Sequence, residues 1–398
     1  MDYLNDLAEE FEHLKRFEWA ANQLVAPDRL ATLAWANDRS YLLFALYLKA
    51  RQLLYEGRYT EKSIGLQEAD FVALDALLVR RALQVEKDPL LFAYLRTCQI
   101  VALDPLAEGV DQQIEDHIAY LQSFQVHLPL EDYVYNLSLL NNFCIKGKSL
   151  GAKGLTAATF RSALLMLEGK YGAKWSRKPH LPYIIFSNVA TGAMDLAELG
   201  QWQFVPIYYK ADEAPVNDVY DWLELYIKGY QSRVEKTFRA STVAYVRARM
   251  AFRRGDFVAA ANAISKIDEA AVESLVLGSR RLTLMTWYAL RYNGDETARR
   301  MARKFLADPR ALLLKMRAQV RDLELRQKRL PGHRSHFLTF LDAFSALLQL
   351  RDALEDLPPE SIRRSQQLHE GRQAAIAPLL AYPHESGEWL LAQFKALS

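Results

Sequence analysis

Cysteine is nearly missing from this 398-residue chain. Its two, Cys98 and Cys144, are too few for a disulfide framework or a four-thiolate zinc site, and a reducing, cytoplasmic setting is expected. Glycine (17) and proline (14) are too sparse for a collagen-like or low-complexity chain. An excess of one charge is also absent: Lys+Arg number 50 against Asp+Glu 48. With 51% hydrophobic residues, that balance excludes intrinsic disorder. Nowhere do about 18 apolar residues follow one another, so no membrane-spanning helix is expected. Near the N-terminus, Glu9, Glu10, Glu12, Lys15, Arg16 and Glu18 interrupt every run that could form a secretory signal.

Motifs that carry chemistry are missing too. Gly147-Lys148-Ser149 has the ending of a phosphate-binding loop, but Asn142 stands where that loop needs glycine, and Tyr135 to Cys144 reads as helix rather than strand. His333 and His336 lie three apart without the third and fourth ligands zinc requires, and Arg329 and Arg334 beside them would repel a cation. Both cysteines sit among apolar neighbours, as small core residues do. The adjacent carboxylates Glu9-Glu10 and Glu115-Asp116 point apart on a helix, which is wrong for acid–base work. No catalytic, cofactor-binding or metal-binding residue is therefore expected, and an enzyme is not the favoured reading.

What the chain does have is helical periodicity almost throughout. Phe337, Phe340, Leu341, Phe344, Leu347 and Leu348 fall on one helix face, and Leu43, Phe44, Leu46, Tyr47, Ala50, Leu53 and Leu54 on another. A third face comes from Phe71, Leu74, Leu77, Leu78 and Ala82. The most strand-like window, Leu181 to Val189, reads as a helix start after Pro182. The fold class is all-α. Loops are expected at 105–109, 147–154, 172–182, 211–217, 330–333 and 357–360, where proline, glycine or polar residues gather.

Four of the turns share a pattern of aromatic or apolar residue, glycine, then a polar residue. They are centred on Gly57, Gly200, Gly255 and Gly294. In each, glycine is expected to take the left-handed conformation that ends one helix, while the polar residue opens the next. Around Gly255, the run Ala244, Ala248, Ala251-Phe252, Gly255-Asp256-Phe257, Ala260, Ile264 and Ile267 resembles one tetratricopeptide repeat. It departs from that pattern at Ala244, where a large aromatic belongs, and in lacking the closing proline. The strong resemblance spans about 30 residues. A looser one covers most of 237–350, and the whole chain is similar to degenerate helical-repeat proteins of uncharacterised bacterial families. The resemblance implies an α-α superhelix, a TPR-like solenoid of antiparallel helix hairpins. Its expected parts are N-terminal repeats over 1–146, middle hairpins over 147–236, and TPR-like repeats with capping helices over 237–398, in one continuous array.

In such an array the first helices line a concave groove. The resemblance places Tyr245, Arg249, Phe252, Arg253, Tyr288 and Tyr292 in it, with arginine available for carboxylates of an extended or acidic partner segment. A protein-interaction scaffold is the first functional expectation. The alternative is a nucleic-acid-associated protein, because residues 299–334 hold 12 basic residues against 3 acidic ones in a chain of net charge +2. Arg299, Arg300, Arg303, Arg310, Arg317, Arg321 and Lys328 define that basic surface. A solvated or internally paired helix face, an acidic protein and nucleic acid are the three uses open to it. Only Phe305 is aromatic within the segment, which counts against stacking of single-stranded bases.

Overall fold

A computed structural model describes residues 27–54, 68–171, 180–203, 216–270, 275–326, 336–355, 362–381 and 386–397. Among them every regular element is helical, and the one β-type pairing is an isolated bridge between Leu181 and Val234. The α-helices are α1 (Pro27–Leu54), α2 (Glu68–Arg80), α3 (Ala82–Lys87), α4 (Pro89–Val101), α5 (Val110–Ser123), α6 (Leu130–Ser149), α7 (Thr156–Tyr171), α8 (Tyr183–Glu198) and α9 (Val219–Tyr230). They continue with α10 (Lys236–Arg253), α11 (Phe257–Ile264), α12 (Val276–Tyr288), α13 (Glu296–Phe305), α14 (Pro309–Arg326), α15 (His336–Glu355), α16 (Ile362–Ala381) and α17 (Gly387–Lys395). No described helix is long and apolar enough to cross a membrane.

Aspartates open several helices by accepting from orphan backbone N–H groups. Asp88 takes those of Leu90 and Leu91 at 3.1 Å, with Pro89 in the first turn where its missing N–H costs nothing. Asp218, Asp256 and Asp295 do the same for α9, α11 and α13. The strand-like window around Ile184 is the first turn of α8, capped by Pro182. Gly200 and Gly255 take φ of +66° and +77°, the left-handed geometry that turns the chain back at hairpin ends. Gly294 departs from that expectation. The chain ahead of it, Ala289–Asn293, winds into a π turn, and Gly294 follows in extended backbone at φ −92°. The Gly57 turn lies outside the described residues, as do the expected loops at 330–333 and 357–360. The expected break at 147–154 is shorter than its sequence suggests, because α6 runs on to Ser149 and contains Gly147. A helix there leaves no phosphate-binding loop.

The chain divides into two compact units, Met1–Cys144 and Ile145–Ser398. In the first, α1 packs along α4, and the Tyr47 hydroxyl donates to the Tyr135 hydroxyl at 2.8 Å. Ion pairs Arg39–Asp88 and Arg81–Asp38, both 2.6 Å, tie α1 to the start of α4 and to the junction of α2 with α3. At its centre lies a buried polar chain. Thr97 Oγ1 donates to Asn136 Oδ1 at 2.7 Å and meets His117 Nε2 at 2.9 Å, and Asn136 Nδ2 donates to the Asp132 carbonyl. Cys98 is buried in this unit, and burial pushes its thiol up to about 11, which makes it inert as a nucleophile at neutral pH.

In the second unit, neighbouring helices pair as α7 with α8, α10 with α11, and α15 with α16. At the α7–α8 crossing, Gly192 lies so close to Phe160 that a Cβ would stand 3.1 Å from the Phe160 Cβ. The core of the C-terminal half is built from Leu284, Tyr288, Met316, Phe340, Leu341, Phe344, Leu347, Leu390 and Phe394. The face read as Phe337 to Leu348 is the inner side of α15.

Candidate functional site

Helices α8, α10, α12 and α17, with the Gly255 turn and the start of α11, surround a cavity of about 450 Å³ in the second unit. Its position follows from the α10–α11 hairpin. Helix α10 carries Tyr245, Arg249, Phe252 and Arg253 on one stripe, spaced four, three and one apart, so one helix face delivers all four. Helix α12 supplies Gly278, Arg281, Leu282 and Met285, again on a single face. Glu198 closes one end, and Ser386, Glu388 and Trp389 at the head of α17 close another.

Three guanidiniums converge here. Arg249 is 9% exposed; its Nη1 donates to the Tyr245 hydroxyl at 3.3 Å, and its head lies 5.8 Å from the Tyr245 ring centre. Arg281 is 8% exposed, and its guanidinium lies 5.3 Å from the Phe337 ring centre. Arg253 donates through Nη2 to Asp195 Oδ1 at 2.5 Å and pairs through Nε with Glu198 at 3.2 Å. The other oxygen of Asp195 takes Lys148 Nζ at 2.6 Å. Glu388 at the rim pairs with Lys153.

These charges feel one another. Burial alone would raise the Asp195 carboxyl, but Arg253, Lys148 and Arg249 together hold it below the usual carboxylate range. Burial lowers Arg281 to about 10; Arg249 and Arg253 push the same way, while Tyr245 and Asp195 pull against them. Glu198 is raised by burial, with Arg253 opposing and Asp195 adding to the rise. Apolar side chains complete the lining beside them: Phe252, Phe257, Leu282, Met285 and Trp389. Phe252 stacks edgewise on Phe257 at 5.4 Å and approaches Trp389 at 6.1 Å.

Four of the six expected groove residues, Tyr245, Arg249, Phe252 and Arg253, thus line one cavity. The other two do not. Tyr288 is fully buried beneath Arg351, which donates to its hydroxyl at 2.9 Å, and the Arg351 guanidinium lies 4.9 Å from the Tyr292 ring centre. Part of the basic segment is engaged in ion pairs at the surface. Arg310 pairs with Asp352 and Arg317 with Asp342 at 2.7 Å, both acids being on α15, while Arg300 pairs along its own helix with Glu296. Arg299, Arg303 and Arg321 are exposed, and Lys328 lies outside the described residues.

Sequence reasoning missed Lys148, Asp195, Glu198, Arg281 and Trp389. Two signals were present: Arg280-Arg281 interrupt an otherwise apolar window, and Asp195 stands alone between Met194 and Leu196. Such charges in a buried stretch need partners. Arg280 finds its own in Glu269 and Gln319. Among the described residues no group of three or more His, Cys, Asp or Glu could hold a metal ion. Set against known protein families, curated proteins and solved structures, the chain matches none.

Proposed function

We propose that this chain is an interaction scaffold, an α-solenoid of tetratricopeptide-like hairpins that takes an acidic or extended segment of a protein partner against the arginine wall of α10 and α12. The observation that carries this reading is contact between alternate helices. Helix α8 touches α10, α10 touches α12, α12 touches α14, and α11 touches α13. A series of stacked hairpins makes such contacts between next-but-one helices. The cavity lies where α8, α10 and α12 meet, and its guanidiniums suit carboxylates.

The choice of variant matters. Arg253→Glu would set a carboxylate against Asp195 and disrupt the fold for reasons unrelated to binding. Arg249→Gln and Arg281→Gln leave the Lys148–Asp195–Arg253 chain intact. In affinity capture, the double variant should lose the proteins that the unaltered chain retains, while its helical circular dichroism stays unchanged. Retention of the same proteins would overturn the reading.

The nucleic-acid alternative rests on exposed Arg299, Arg300, Arg303 and Lys304 of α13. Arg310 and Arg317 already meet carboxylates of α15, which favours the scaffold reading over this one. A salt titration with duplex DNA should show a log–log slope shallower than about −4; a steeper slope would restore the alternative.

A further inference from the structure

We propose that the outer face of α13 docks a second copy of this chain, taking the acidic face of that copy's first unit in a head-to-tail contact. This goes beyond the scaffold reading and does not rest on it, because α13 lines no part of the cavity.

The observation that carries the proposal is how the charge divides. A net charge of +2 conceals two strongly charged parts, and they coincide with the two compact units. Met1–Cys144 holds 12 Lys and Arg against 22 Asp and Glu, a net of −10. Ile145–Ser398 holds 38 against 26, a net of +12. Within the first unit the bias peaks over 97–144, where Asp104, Glu108, Asp111, Glu115, Asp116, Glu131 and Asp132 stand with no lysine or arginine among them. Within the second it peaks over 299–334, with 12 basic residues against 3 acidic.

Both peaks reach the surface. On α13, Ala298 and Ala302 are buried, and Arg299, Arg300, Arg303 and Lys304 stand exposed in two adjacent rows of i, i+4 spacing. Arg300 meets Glu296 of its own helix; among the described residues Arg299, Arg303 and Lys304 meet no carboxylate. The complement lies on the first unit, where Asp104 and Glu108 before α5 and Asp111 and Asp116 within it are exposed. Asp104 accepts from the Leu106 N–H at 2.9 Å and Asp116 from the Gln112 amide at 2.7 Å. Both donors are neutral, so among the described residues these four carboxylates keep their charge unmatched. Leu106, 57% exposed between Asp104 and Glu108, offers the aliphatic stems of the arginines an apolar contact. One exposed ion pair contributes little, whereas several formed together orient two surfaces and speed their encounter. Nucleic acid fits α13 less well: its cation rows cover only about 7.5 Å of helix axis, with Glu296 and Asp308 at either end. Because the two faces differ, the contact is heterologous, and each copy that docks presents a free face to the next.

The test is sedimentation velocity of the full chain over a wide range of protein concentration. It is run at about 0.01 M salt, where charges act over about 30 Å, and at about 1 M, where they act over about 3 Å. At low salt the mass should climb with concentration past the dimer; at high salt the single chain should return. Two variants remove one face each: Arg299→Gln with Arg303→Gln and Lys304→Gln, and Glu108→Gln with Asp111→Asn and Asp116→Asn. Either variant alone should associate about tenfold more weakly or worse at low salt. Mixed, the two should form a dimer that grows no further, since each supplies the face the other lacks. All six positions are exposed, and helical circular dichroism should be unchanged. Should one variant fail to fold, the other and the salt dependence of the unaltered chain still decide. A single chain at every concentration in low salt, growth that salt and both variants leave unchanged, or a mixture without dimer would overturn the proposal. So would duplex DNA bound by a chain that stays single and released by the α13 variant, an outcome that gives this face to nucleic acid.

Discussion

Gly255 and Gly294 sit at matching turns, yet two different physical demands hold them. Gly255 needs its left-handed φ of +77°, with open space where a Cβ would point. Gly255→Ala should therefore cost about 1–2 kcal/mol, the penalty for an L-residue in that conformation, read as a lower urea midpoint. Gly294 has an ordinary φ, but a Cβ there would stand 2.4 Å from the Ala298 Cβ and 2.7 Å from the Leu290 carbonyl oxygen. Alanine should cost more at Gly294, through collision rather than dihedral strain. Both glycines were legible in sequence as turn markers; the reason for each was not, because a turn motif records spacing and says nothing of the π turn that precedes Gly294. The candidate site divides in the same way. Tyr245, Arg249, Phe252 and Arg253 were legible because they share one helix stripe. Arg281, Asp195 and Trp389 reach the cavity from other helices, and a linear pattern does not show which stripes face each other.

Single elements show how charge and apolar patterns part company. The apolar stripe of α15 was read correctly, and Leu43, Leu46, Tyr47 and Ala50 of α1 and Leu74 and Leu77 of α2 are buried as expected, whereas Ala82, read on the α2 stripe, is exposed and begins α3. The basic run was also visible, but the pairing of Arg310 and Arg317 with acids of α15 depends on how α14 and α15 pack. The short α17 is the most consequential element for its length. Leu390 and Phe394 are fully buried in the C-terminal core, and Trp389 packs on Tyr288 at 5.6 Å and on Phe344 at 6.3 Å while lining the cavity. Leu390→Ala should destabilise the second unit by about 2–5 kcal/mol, measured by thermal or urea unfolding.

At the scale of the whole molecule, the two units should answer acid differently. His117 in the first unit is buried, and burial together with Arg96 lowers its imidazole from 6.5 to about 3. Between those values the unfolded chain binds a proton that the folded unit refuses. Stability is therefore full above about pH 6.5 and falls by about 1.4 kcal/mol for each pH unit below it, until about pH 3. Asp195 in the second unit has the opposite character. Its carboxyl is held low against the effect of burial, so its contribution persists above the unfolded carboxylate range and fades only as pH falls through the depressed value. Hydrogen exchange should show α4 and α5 losing protection between pH 6.5 and pH 4.5, while α8 and α10 keep theirs; simultaneous loss in both would refute the assignment to His117. The all-α class was legible because periodicity is a local property. The division near Cys144 was less so, since it falls inside a continuous helix.

The π turn at Ala289–Asn293 stores length without spending phase. It closes one full turn with one residue more than an α turn needs. Removing a single residue there would let α12 close at normal pitch over the same arc, so Tyr292 would stay near the Arg351 guanidinium. The molecule should therefore absorb a one-letter deletion at this place, where in an ordinary α-helix the same deletion would turn every later side chain by about 100°.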